Sequence, residues 1–243
     1  MNRLGYGLFS IIILVTWVGP IFSENSDLDG SYKNGSKRYF FDMNEFSTLK
    51  SVKPGNFGKL ADGAHPTENQ LGIEFNSPGA RIESKRIYDL PWEKGGRAVT
   101  IDLWMKPFEV LAGSHYFIFG GNDHKNLELG LDSTHLQIRY GDTVLGTSKF
   151  FFIPYVWVYI VVTFDQHFLR IYINNYMDTE TAIQLPTKTE YIQGLTIGSR
   201  LHFVNYFKSE YIDDFKGVLA GMHVALKEVD IGEVISNYNE ARY

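Results

Sequence analysis

The sequence has no cysteine. That single absence excludes a disulfide framework, a zinc–thiolate site and a cysteine nucleophile. Basic residues are also in short supply: 23 Lys and Arg stand against 28 Asp and Glu, a formal net charge of −5. No basic run exceeds a pair, the pairs being Lys37-Arg38 and Lys85-Arg86. Such a pattern offers no electrostatic footprint to a phosphate backbone, so nucleic acid is excluded as a partner. Motifs of catalysis are missing as well. The seven histidines are scattered, with no H-x-H or H-E-x-x-H spacing, and there is no G-x-S-x-G and no glycine-rich phosphate loop.

One apolar run stands out, at the N-terminus. Arg3 precedes it, residues 8–18 form it, and Ile21 and Ser23 lead into the polar stretch Glu24-Asn25-Ser26-Asp27. A positive start, a short apolar stretch and a small residue before a polar segment define a secretory signal peptide. The run is short of the roughly 20 residues a membrane helix needs. The expectation is a signal peptide over residues 1–23, an N-terminal arm over 24–38 and one domain over 39–243. The mature protein is then secreted and extracellular, with no integral membrane span. An uncleaved anchor is the alternative. A single N-glycosylation triplet, Asn34-Gly35-Ser36, lies in a polar stretch where a surface loop is expected. Secretion without cysteine requires a large core, and a domain of about 200 residues buries roughly 70% of its unfolded surface.

What the chain has in abundance is aromatic side chains: 15% of the residues, with 18 Phe and 15 Tyr. Flat rings suit a pleated, half-buried surface. Strand signals recur along the chain with turn residues between them. Residues 71–75 alternate and end at Asn76-Ser77-Pro78-Gly79, and 80–83 resume the extended pattern. Residues 99–106 place Val99, Ile101, Leu103 and Met105 on one face and Thr100, Asp102, Trp104 and Lys106 on the other. That is the alternation of a half-buried strand. Residues 116–119 stop at an expected turn, Gly120-Gly121-Asn122-Asp123. Residues 127–131 and 136–140 read as a hairpin across a short connection, and Gly141-Asp142 turns the chain again. Residues 157–164 are almost wholly β-branched or aromatic, a strand buried on both faces. Asp165-Gln166-His167 joins it to 168–173, Asn174-Asn175 closes that unit, and 195–198 and 218–226 follow. Many short strands with no helical period between them predict an all-β antiparallel sandwich. Only the C-terminus turns helical: Ile231, Val234, Ile235 and Tyr238 form one stripe, and Asp230 with Glu233 has the spacing of a capping box. One short helix on the sandwich edge is expected there.

Four stretches in this order carry a resemblance: VTIDLWMKP (99–107), WVYIVVTFD (157–165), LRIYIN (169–174) and FKGVLAGMHV (215–224), followed by the capped helix. Together they resemble the concanavalin A-like, laminin-G-like jelly-roll family, which also includes pentraxins, from about residue 42 to the C-terminus. The resemblance implies a jelly-roll sandwich, and it implies packing roles for Trp104 and Trp157. Two departures stand out. Asn175 replaces the glycine that often follows the strand ending at Asn174, and Ala220-Gly221 replaces an acidic pair with which relatives help hold a structural calcium. The disulfide of pentraxins has no counterpart.

Hydrolases on this fold carry E-x-D-x-x-E or E-x-D-x-E on one strand face, because glycoside hydrolysis needs two carboxylates about 5–10 Å apart. Neither occurs; Glu128 and Asp132 come nearest, and exposed strand-face acids are the expectation for them. Candidate calcium ligands are Asp213 and Asp214, and Asn122 and Asp123 in the expected turn. Candidate ligand-binding residues are Trp92, beside Pro91, and His202, Phe203, Tyr206 and Phe207 in the aromatic stretch 201–207, read as a loop. Aromatics on a rigid scaffold give large contact area at low entropy cost.

The reading is therefore a secreted recognition or adhesion module, not an enzyme, binding a glycan or an extracellular protein through rim loops. A carbohydrate-active enzyme on the same fold and a matrix or surface protein tethered by the uncleaved segment are the alternatives. N-terminal sequencing of the secreted product is expected to start near Glu24; a start at Met1 would show the tether instead.

Overall fold

The computed structural model describes residues 38–41, 58–68, 72–84, 98–121, 127–165, 167–183, 195–205, 208–225 and 228–240. The expected signal peptide, nearly all of the arm and Asn34 lie outside them. Among the described residues no helix is long and apolar enough to cross a membrane.

Among the described residues, seventeen strands and one helix follow in chain order. They are β1 (Arg38–Phe41), β2 (Gly58–Ala61), β3 (His65–Pro66), β4 (Ile73–Phe75), β5 (Arg81–Ser84), β6 (Val99–Pro107), β7 (His115–Gly121), β8 (Leu127–Asp132) and β9 (His135–Tyr140). Then come β10 (Thr143–Thr147), β11 (Val158–Phe164), β12 (Phe168–Ile173), β13 (Tyr176–Ala182), β14 (Leu195–Ile197), β15 (Arg200–Asn205), β16 (Lys208–Ile212), β17 (Gly217–Ala225) and α1 (Ile231–Glu240). One sheet runs β13-β12-β11-β6-β17-β4-β3, with β1 also on β17; the other runs β10-β9-β8-β7-β14-β5-β2. Every strand-to-strand ladder in the two sheets is antiparallel. The all-β antiparallel sandwich with a C-terminal helix is what the strand periodicity predicts.

The core lies between the sheets. Ile101, Leu103 and Met105 of β6, with Ile160 and Val162 of β11 and Ile171 of β12, meet Leu129 and Leu131 of β8, Leu136 and Ile138 of β9, and Ile197 of β14. Alternate residues of a strand share a face, so the period-2 pattern of β6 puts its apolar half inside. The hairpin turns follow from local chemistry. Asn174 and Asn175 both take positive φ, 48° and 70°, as a two-residue turn between β12 and β13 requires. Asparagine tolerates that region, and Asn174 adds a cap by accepting the Tyr159 amide on its Oδ1 at 2.9 Å.

Four readings are corrected by the structure. The second face of β6 is buried, not half-exposed: Thr100, Asp102 and Trp104 all sit out of solvent. Over Trp104 the cover is α1, which lies on the outer face of this sheet and not along the sandwich edge. Trp104, Tyr159, Val161, Tyr172 and Ala220 pack there with Val229 and Val234, and the Trp104 indole stacks on Tyr238 at 5.6 Å. Ala220 pairs in register with Trp104, so an acid at 220 would be buried beside an indole. Only half the expected helix stripe is used, since Ile231 and Ile235 remain exposed. The cap forms: the Glu233 amide donates to Asp230 Oδ1 at 2.9 Å. Third, Gly120 and Gly121 belong to β7 and not to a turn. Fourth, the aromatic stretch near 201–205 is a strand, β15, paired with β16 as a separate two-stranded ribbon.

Trp104→Ala is expected to cost about 3–5 kcal/mol, the usual penalty for emptying a buried aromatic site. Urea unfolding of the two proteins checks this; an unchanged midpoint would mean that α1 contributes little to the fold.

Candidate functional site

Two regions of the surface have the chemistry to do more than fold. The first is the outer face of the β7–β8–β9 region. Register places Glu128 opposite Arg139, Gly130 opposite both Phe117 and Gln137, and Asp132 opposite both His115 and His135. The His115 ring crosses Gly130 to reach Glu128, with Nε2 and Oε1 at 2.8 Å. A Cβ at 130 would lie 3.0 Å from that ring and 2.8 Å from the Tyr116 carbonyl, so only glycine leaves the path open.

Glu128 is buried, contrary to the expectation of an exposed strand-face acid. Its second oxygen accepts from Arg200 at 3.3 Å, and the same guanidinium pairs with Asp213. Burial pushes the Glu128 pKa up. The His115 hydrogen bond and the charges of Arg200, His115 and Arg139 outweigh it and hold the carboxyl below its ordinary value. Arg200 thus ties the ribbon to the sheet. A second clamp lies at Arg81, which pairs with Asp62 and Glu83 and carries the Tyr211 ring 3.5 Å from its guanidinium. Tyr211 in turn donates to Glu83 at 2.9 Å. Phe117, which shares the Gly130 side of the sheet, is wholly buried, and its amide donates to the Asp213 carbonyl at 2.7 Å.

The candidate calcium ligands Asp213 and Asp214 serve here as internal braces. Asp213 holds Arg200, while Asp214 accepts the Gly79 amide at 3.0 Å and the Ser199 hydroxyl at 2.6 Å. A divalent cation at Asp213 would sit beside a guanidinium, so this donor set does not suit one. Among the described residues there is no group of three or more His, Cys, Asp or Glu able to hold a metal. Asn122 and Asp123 lie outside the described residues, as do Trp92, Tyr206 and Phe207. His202 is half-buried on β15 opposite Glu210, and Phe203 is placed only by its backbone, opposite Ser209. Of the predicted ligand-binding residues, the described ones are thus His202 and Phe203, neighbours on β15.

The second region went unnoticed in the sequence. The connection from β10 to β11, residues 148–157, exposes Phe151 (61%), Ile153 (59%), Tyr155 (69%) and Val156 (44%). Its backbone is pinned. Ser148 bonds Leu136 in both directions, the Phe152 amide donates to the Thr134 carbonyl at 2.9 Å, and the Tyr155 amide donates to the Pro107 carbonyl at 2.6 Å. Phe152 itself is buried as an anchor. Tyr155 has a φ of 64°, a left-handed conformation that costs a bulky residue about 1–3 kcal/mol and persists only where surroundings enforce it. Its ring stacks on Phe108 at 5.5 Å, and Phe151 meets His135 edge-on at 4.4 Å. The Lys149 amide donates to Asp178 at 2.7 Å, which brings the start of β13 alongside, with Tyr176 and Met177 exposed. One rim of the sandwich thus carries an apolar, aromatic crown. The signal for it was Pro154 inside an apolar run: proline removes a ladder donor, so this run cannot be a central strand.

Residues 84–224 match the laminin-G-type profile described as the concanavalin A-like lectin/glucanases superfamily. The match covers more than half of the 243 residues, and the chain belongs to that family. No curated protein matches it in sequence. Among solved structures it is similar to the receptor-binding domain of botulinum neurotoxin D, at 11% identity and a TM-score of 0.60, covering 76% of this chain and 48% of that one. The binding domain of botulinum neurotoxin DC, solved with rat synaptotagmin II, aligns at 13% identity and a TM-score of 0.59, covering 78% and 46%. A type C neurotoxin structure, reported with cell entry dependent on two ganglioside molecules, aligns at 13% and 0.58, covering 78% and 46%. At these identities the likeness shows the fold alone, and the chain spans about half the length of those solved chains.

Because the folded-state pKa of Glu128 is lowered, its contribution is complete above the unfolded carboxylate range of about 4.3 and is lost as pH falls through the lower folded value. Stability is expected to drop as pH goes from about 5 towards 3, less steeply in Glu128→Gln. Asp165, lowered against its own burial by the His167 and Phe168 amides and by Arg170, keeps part of the slope in both proteins. Equal slopes in urea titrations at each pH would remove Glu128 from this role.

Proposed function

We propose that the protein is a secreted recognition module that docks on a glycan or protein of a cell surface or matrix through the crowned rim. The observation that carries this is the display of Phe151, Ile153 and Tyr155 on a loop whose backbone is pinned, with Tyr155 in a conformation that costs folding energy. Backbone strain held next to exposed rings is what a preorganised contact surface requires. The solved structures of this fold support the reading: cell entry of the type C neurotoxin depends on two ganglioside molecules, and the type DC binding domain was solved with rat synaptotagmin II.

Catalysis is the weaker reading. The buried acid closest to a catalytic role, Glu128, shares Arg200 with Asp213 and is held ionised. An ionised carboxylate locked to a guanidinium has no proton to give a leaving group, and a glycosidase needs one that does.

A glycan array and a cell-surface binding screen with the mature domain test the proposal. Binding in at least one is expected, and Phe151→Ser with Tyr155→Gly is expected to weaken it about tenfold, two exposed aromatic contacts being worth at least about 1.4 kcal/mol. Glycine relieves the positive φ, so the variant stays folded. Two empty screens, or full binding by the variant, would overturn the proposal.

A further inference from the structure

Resting on the rim as the docking surface, we infer that the crown itself enters the interfacial layer of a lipid bilayer carrying anionic headgroups. Side-chain chemistry separates this partner from a sugar. A sugar takes flat rings with hydrogen-bonding groups beside them, whereas Ile153 and Val156 are exposed aliphatics with nothing to offer a hydroxyl. Phe151 and Tyr155 stand among them, the mixture of apolar body and polar tip that settles at a membrane–water boundary. Charge points the same way. The chain carries a net −5, yet two lysines border the crown and no carboxylate among the described residues pairs with their ammonium groups. Lys149, exposed two residues before Phe151, and Lys106 make no ion pair among the described residues; the Lys106 ammonium instead lies 5.3 Å from the Trp157 ring and 5.8 Å from Phe108. Apolar side chains flanked by two lysines that make no ion pair among the described residues fit acyl chains below and headgroup phosphates above.

The pinned backbone matters too. A flexible loop would fold its rings back onto the protein, but this one is hydrogen-bonded to Thr134, Leu136 and Pro107 on both sides of its exposed residues. It enters a bilayer without first paying for order.

Sedimentation of the mature domain with protein-free vesicles tests the inference, using phosphatidylcholine alone and phosphatidylcholine with phosphatidylserine. The wild type is expected to pellet with the mixed vesicles, the paired substitution Phe151→Ser and Ile153→Ser to weaken this about tenfold, and Lys149→Glu to reduce the preference for phosphatidylserine. Ile153→Trp adds an indole whose emission is expected to shift to the blue and to be quenched by brominated lipid. Far-ultraviolet circular dichroism and a cooperative thermal transition matching the wild type confirm that the variants are folded. Absence of pelleting with either vesicle overturns the inference, as does pelleting without quenching, which is surface adsorption alone. If the domain binds cells through the crown, ignores vesicles and loses its target after protease or glycosidase treatment, the partner is a protein or glycan: the rim keeps its role and the bilayer is rejected.

Discussion

Everything in this molecule depends on apolar side chains closing the gap between two sheets with no covalent link across it. Each inner face supplies alternate residues of its strands, and the strands most deeply involved, β6 and β11, are buried on their outer faces as well. Burial of apolar surface contributes about 25 cal/mol per Å², and a domain without cystine gains from extending it past the two facing layers. Helix α1 does this on one sheet through Trp104 and Val234. The β15–β16 ribbon does it on the other, where Phe117 is fully buried.

The two covers are held by different physics. The helix is a hydrophobic lid, indifferent to ionic conditions. The ribbon is held by guanidinium groups between carboxylates, with Arg200 set between Glu128 and Asp213 and Arg81 set between Asp62 and Glu83. Removing one partner from such a buried group leaves an uncompensated charge, which is why these side chains are bound to one another and not to solvent. Among the described residues the largest exposed apolar side chains include Phe151, Ile153 and Tyr155, at the rim where β10 leads into β11.

How much of this was legible depended on whether periodicity or tertiary contact decided each element. The β11 segment, Val158–Phe164, was readable because every residue is branched or aromatic, and Asn174-Asn175 was readable because few residues adopt two successive positive φ values. The burial of Trp104 was not, since alternation marks it as outward and the distant helix covers it. The same failure hid Glu128: its burial comes from Arg200, 72 positions later. The ribbon was taken for a loop because β16, Lys208–Ile212, is mostly polar and exposed, with no apolar face for a pattern to find. Asp213 and Asp214 looked like cation ligands, as sequence shows the donors but not Arg200 on the first or the Gly79 amide and Ser199 hydroxyl on the second. The crown was overlooked for the opposite reason: its aromatics resemble core residues by type, and only Pro154 distinguishes them.

Strand β13 ends the larger sheet, and an open sheet border is a template for another chain. Here that border carries Asp178, Thr179, Glu180 and Thr181 in succession. Asp178 is drawn onto the Lys149 amide and Glu180 onto Arg170. A second copy approaching edge to edge would bring its own acids against these, so like charges discourage fibrillar stacking. The border of the larger sheet is therefore guarded by charge.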